Sequence, residues 1–107
     1  MKKTMNKYQR NYMLAKAHLE TLRDIEKKME HEYLKSRNIV NADGKTPEAI
    51  YCIDDENIFN TINEESTKLP EFEANWAEQL EAEKILESAE NLLTSLIYKE
   101  LTKGARQ

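Results

Sequence analysis

The chain has 107 residues, 39% hydrophobic and 34% charged, with a formal net charge of -4, which is enough apolar material for one modest core, so a single helical domain over 1–107 is expected. Two glycines and two prolines give little turn chemistry for a sandwich or barrel, and one cysteine excludes an internal disulfide. No apolar run approaches the roughly 18 residues of a membrane span, and the N-terminus lacks the apolar core of a signal peptide, so a cytoplasmic protein with no membrane contact is expected.

The first element is the longest apolar stripe. Met5, Tyr8, Tyr12, Ala15, Leu19, Leu22, Met29 and Tyr33 recur at steps of three and four, which predicts a helix over 5–36. Glu26 fills the one slot of the stripe without an apolar residue, read here as a seam-edge ion pair with Lys84 or a break that sets register. Ile25 beside it supplies an apolar contact if the helix rotates slightly. A helix of about 30 residues spans about 45 Å, more than one chain of this size is expected to cover. A homodimer joining the uncovered seams is therefore expected.

Residues 38–55 change character. Asn41-Ala42-Asp43-Gly44 is suited to a turn, with Gly44 free to take positive φ. Thr46-Pro47 reads as an N-cap followed by proline at the first helical position, opening a short helix over 47–53. The competing reading is a hairpin that pairs Ile39-Val40 with a strand through Ile50, Tyr51, Cys52 and Ile53. Cys52 in that apolar patch is expected to be a small buried hydrophobe. Asp54 or Asp55 then caps a second short helix whose inward face is Ile58, Phe59 and Ile62, fading at Glu64 to Thr67.

From Leu69-Pro70 a third helix is predicted to about Lys103, with Gly104 as its stop. One broad side carries Phe72, Trp76, Leu80, Ile85, Leu86, Ala89, Leu92, Leu93, Leu96, Ile97 and Leu101. The fold class is thus mainly α, a long antiparallel helical pair with one or two short middle helices. Leu19, Leu22, Met29, Phe72, Trp76, Leu80, Leu86, Leu93 and Leu96 are expected to be buried.

Chemistry is sparse. His18 and His31 are several turns apart, lack the companions of a di-metal or H-E-x-x-H pattern, and read as solvated helix residues. Asn41, Asp43 and Lys45 do not make a Ca²⁺ loop, and no phosphate-binding glycine loop, nucleophile elbow or zinc motif is present. No catalytic residue, cofactor or metal is assigned. Lys2, Lys3, Lys7 and Arg10 beside Tyr8 and Tyr12 are read as a helical start with exposed bases, and direct nucleic-acid binding is not expected.

Charge is divided along the chain: +5 over residues 1–37 and -9 over residues 38–107. The carboxylates Glu78, Glu81, Glu83, Glu87 and Glu90, with Asp54, Asp55 and Glu56 as a second group, are therefore the provisional protein-binding positions. They point to a small non-enzymatic regulatory or adaptor protein whose partner is a protein with a basic groove. Two alternatives use the same acids. One is a nucleic-acid mimic that inhibits a nucleic-acid-binding protein; the other is a helical nucleotide hydrolase that gathers Mg²⁺ on paired carboxylates.

Overall fold

In the computed structural model the chain forms α1 (Lys2–Ser36), a 3-10 turn (Ile50–Cys52), α2 (Glu56–Ser66) and α3 (Pro70–Ala105). Residues 2–105 are described, with side chains over 7–103; the side chains of Lys2, Lys3 and Met5 lie outside that range. The long helices run antiparallel and pack against each other, the expected class. Among the described residues there is no strand.

Covered stripes show how the helices meet. On α1 the stripe passes through Tyr8, Tyr12, Ala15, Leu19, Leu22, Glu26, Met29 and Tyr33, with Glu30 and Leu34 buried and His31 half-buried beside it; on α3 it passes through Phe72, Asn75, Gln79, Ala82, Leu86, Ala89, Leu93 and Leu96, with Trp76 half-buried beside it. Both stripes keep a strict alternation of three and four, the seven-residue repeat of paired helices. This corrects the expected α3 face. Leu80 is 56% exposed, because the repeat passes through Gln79 and Ala82 and leaves Leu80 on the flank. Phe72, Leu19 and Leu22 are buried as expected, while Met29, Trp76, Leu86, Leu93 and Leu96 are half-buried.

Contacts gather into two units, one of residues 1–20 with 79–107, the other of residues 21–78. The middle unit holds an enclosed core. Leu34, Ile50, Ile53 and Ile62 form its cluster, with Tyr33, Ile39, Ile58 and Phe59 packed against it. Phe72 is 1% exposed; its ring meets Tyr33 edge-on at 6.0 Å and lies 6.0 Å from Trp76. Asn75 Nδ2 donates to the Leu22 carbonyl at 3.2 Å, and the Trp76 indole N–H donates to the Glu26 carboxylate. The structure thus gives Glu26, the one slot of the stripe without an apolar residue, a tryptophan partner.

α1 ends in a Schellman motif. Ile39 N–H returns to Leu34 O at 3.0 Å and Asn38 N–H to Lys35 O at 3.1 Å, with Asn38 at φ 56 as the left-handed residue. Ile39 then packs on the same cluster as Leu34, the apolar contact that accompanies this ending. The turn after it has Gly44 N–H bonded to Asn41 O at 2.9 Å, with Gly44 at φ 81, as the sequence suggests.

The helix expected over 47–53 contracts to the 3-10 turn, and Ala49, not Thr46, occupies its cap position. Tertiary bonds take the groups an α-helix would use: His31 Nδ1 lies 2.9 Å from Pro47 O, and Ile50 N–H donates to Glu30 Oε1 at 2.7 Å. The hairpin alternative does not form. Three residues per turn align Ile50 with Ile53, so both are buried while Tyr51 and Cys52 are exposed. The expected buried cysteine is corrected for that reason, and His31 is half-buried and bonded where a solvated ring was expected.

Asp55 caps α2, its Oδ1 accepting Ile58 N–H at 3.1 Å. Asp55→Ala is expected to lower stability by about 1 kcal/mol, measured by urea unfolding, with Asp55→Asn recovering most of the loss. Pro70 opens α3 where its missing N–H costs no helical bond, and Glu71 and Glu73 favour that positive end. Gly104 is not the stop; α3 continues through it to Ala105.

Candidate functional site

The unit of residues 1–20 and 79–107 has a different character from the middle one. Among its described residues only Leu19 and Ala82 are buried. Met13, Leu14, Ile85, Leu92, Ile97, Tyr98 and Leu101 are between 45% and 69% exposed. Two helices cover each other along one stripe, and large apolar residues outside that stripe need a further element against them. Within the middle unit, α2 and the 3-10 turn are such an element for the helical segments of that unit alone.

Several of these outlying apolar residues fall on two flanks of the α3 stripe. On one flank Leu14 of α1 and Ile85 and Leu92 of α3 border a groove of about 500 Å³, floored by Tyr8, Ala15 and Ala89 and edged by Asn11 and Ser88. None of these residues is charged, in a chain that is 34% charged. On the other flank of α3 are Ile97 and Leu101. The sequence signal for the groove is the seven-residue step from Ile85 to Leu92, which merges with the buried stripe until its register is known.

The provisional acidic residues of α3 are all exposed, yet they do not make one face. At about 100° per residue, Glu83, Glu87 and Glu90 share an arc of about 60° on the flank of Ile97 and Leu101. Glu78 and Glu81 lie on the opposite flank, beyond one end of the groove's α3 wall. Asp54, Asp55 and Glu56 form a separate group at the start of α2. Two of them serve the fold: Asp55 caps α2, and Asp54 Oδ2 accepts Ala42 N–H at 2.8 Å while its own N–H donates to Asn41 Oδ1 at 3.0 Å. Asn41 Nδ2 also bonds Cys52 O at 3.0 Å, so these side chains tie the 38–55 connection together.

The middle unit has two polar features. A cleft of about 430 Å³ is lined by Lys27, Lys28, His31, Glu32 and Glu48; it offers lysines, glutamates and one oriented histidine, with no hydroxyl or thiol to act as nucleophile. Beside the core, Tyr33 OH donates to Glu65 Oε2 at 2.7 Å, and Arg37 clamps the same carboxylate at 2.6 and 3.3 Å. The Tyr33 hydrogen bond, aided by Arg37, holds the Glu65 carboxyl below its ordinary value. Burial and the neighbouring carboxylate push the Tyr33 phenol up. The geometry anchors α1 to α2 and leaves the tyrosine protonated as a donor.

Among the described residues no group of three or more His, Cys, Asp or Glu side chains is placed to hold a metal ion. No helix among the described residues is long and apolar enough to cross a membrane. No protein family, curated protein or solved structure matches the chain.

Proposed function

We propose that this chain is a non-enzymatic adaptor that acts through protein-protein contact, and that the α3 flank carrying Glu83, Glu87, Glu90, Ile97 and Leu101 receives a partner with a basic and apolar surface. The observation that carries this reading is the juxtaposition of exposed glutamates with exposed Ile97 and Leu101 on one side of one helix. Exposed apolar area bordered by charge is the usual character of a protein-binding surface. In such a contact the buried aliphatic residues supply most of the lasting affinity, while the carboxylates speed encounter and limit orientation.

The test is capture of partners from native extract by the full chain, then binding kinetics with the partner found. Glu83→Gln/Glu87→Gln/Glu90→Gln is expected to slow association by about tenfold at low salt, and Ile97→Ser/Leu101→Ser to speed dissociation. A partner that binds both variants with unchanged rates would refute this surface. Displacement of the partner by DNA or RNA would place it among nucleic-acid-binding proteins and favour the mimic reading of the same acids.

A further inference from the structure

We infer that the uncharged groove on the opposite flank is the docking surface for a second copy of this chain, with α3 meeting α3 of the other copy in antiparallel orientation. The groove walls are half-exposed aliphatics, Ile85 at 52% and Leu92 at 51%. In heptad steps the same column of α3 reads Glu78, Ile85, Leu92, Lys99. Turned end for end, that column is its own complement: Glu78 faces Lys99 of the second copy, Ile85 faces Leu92, and the two remaining pairs repeat by symmetry. A two-fold axis produces such a self-matching contact, residue i meeting j and j meeting i.

The chemistry selects a second copy over other occupants. A nucleic acid or a highly charged peptide finds no counter-charge in a groove whose eight lining residues are all neutral. A helix that presents a column with two aliphatic residues at its centre, an acid at one end and a lysine at the other fits it, and the α3 column Glu78, Ile85, Leu92, Lys99 is such a column. Two hairpins joined on this flank complete a four-helix arrangement in which Leu14, Ile85 and Leu92 gain the cover they lack. Parallel pairing would set Glu78 against Glu78 and Lys99 against Lys99, which like-charge repulsion disfavours.

Sedimentation of the purified full chain from low to high micromolar concentration tests this. The wild type is expected to pass from monomer to dimer, and Leu92→Glu to raise the dissociation constant by at least about tenfold, since a carboxylate would enter the apolar centre of the contact. Circular dichroism verifies that the variant keeps its helices, as an exposed position allows. Lys99→Glu and Glu78→Lys alone are each expected to weaken the dimer several-fold, and together to restore it, because the opposite pairs are rebuilt. A monomer mass at every concentration overturns the inference, as does a dimer indifferent to Leu92→Glu; single reversals that the double variant does not rescue overturn the antiparallel orientation. Partner capture through the Glu83, Glu87, Glu90 flank by a chain that stays monomeric would leave the adaptor reading standing and this one refuted.

Discussion

Phe72→Ala is expected to destabilise the folded chain by about 3–5 kcal/mol, the largest effect of any single truncation considered. Phe72 is 1% exposed, lies edge-on to Tyr33 and contacts the tilted ring of Trp76. Its removal costs the transfer energy of the ring, the cavity left behind and two aromatic contacts. Leu80→Ala, on the same helix, is expected to change stability by no more than about 0.5 kcal/mol, because an exposed flank position loses little on truncation. The pair separates the observed stripe through Phe72, Asn75 and Gln79 from the leucine-rich side that composition favours. Urea unfolding followed by the fluorescence of Trp76, the only tryptophan, measures both. Equal losses at the two positions would refute the register described.

Glu30→Ala is expected to destabilise by about 1–3 kcal/mol, because Ile50 N–H, which donates to Glu30 Oε1 at 2.7 Å, is left without that acceptor in a buried place. Glu30→Gln keeps an oxygen for the same bond and removes a buried charge, so it is expected to equal or exceed the wild type at pH 7. The pH dependence distinguishes the two contributions. Burial is the main cause that raises the Glu30 carboxyl above 4.5, with the nearby Glu26 adding to it and the Ile50 hydrogen bond opposing it. A carboxyl raised in the folded state binds its proton more tightly there than in the unfolded chain. Its contribution to stability is therefore complete below 4.5 and is lost as pH rises through the folded value. Glu65, held low by Tyr33 and Arg37, has the opposite sign: its contribution is present above 4.5 and is lost as pH falls through its folded value. Stability of Glu30→Gln relative to wild type should thus increase as pH rises from 4.5 towards neutrality. A difference that stays flat over that window would show that the carboxylate is not desolvated.

Much of the fold was legible in the sequence because it depends on local rules. The three-four stripe from Tyr8 to Tyr33 gives α1, Pro70 with Glu71 and Glu73 gives the start of α3, and Asp55 caps α2. Each of these follows from helix periodicity or from the unsatisfied groups at a helix end. The candidate surface was only half legible. The same exposed acids were found by composition, but their division between two flanks depends on where the buried stripe lies.

The sequence by itself determined that the chain is helical, where its first long helix ends and its last one begins, and that its apolar residues exceed what a narrow seam takes up. Tertiary structure decided the register of α3. Asn75 and Gln79 enter the stripe because Asn75 finds the Leu22 carbonyl, a partner 53 residues away that no local pattern reveals. It also decided the 47–53 segment, where Glu30 and His31 capture the backbone groups a helix would have used. In both places a polar group satisfied across the core outweighed local preference, since a buried group left unpaired costs more than one turn of helix contributes. The register so fixed is what leaves Ile85 and Leu92 bare along a groove and places Glu83, Glu87 and Glu90 on the other side of the helix.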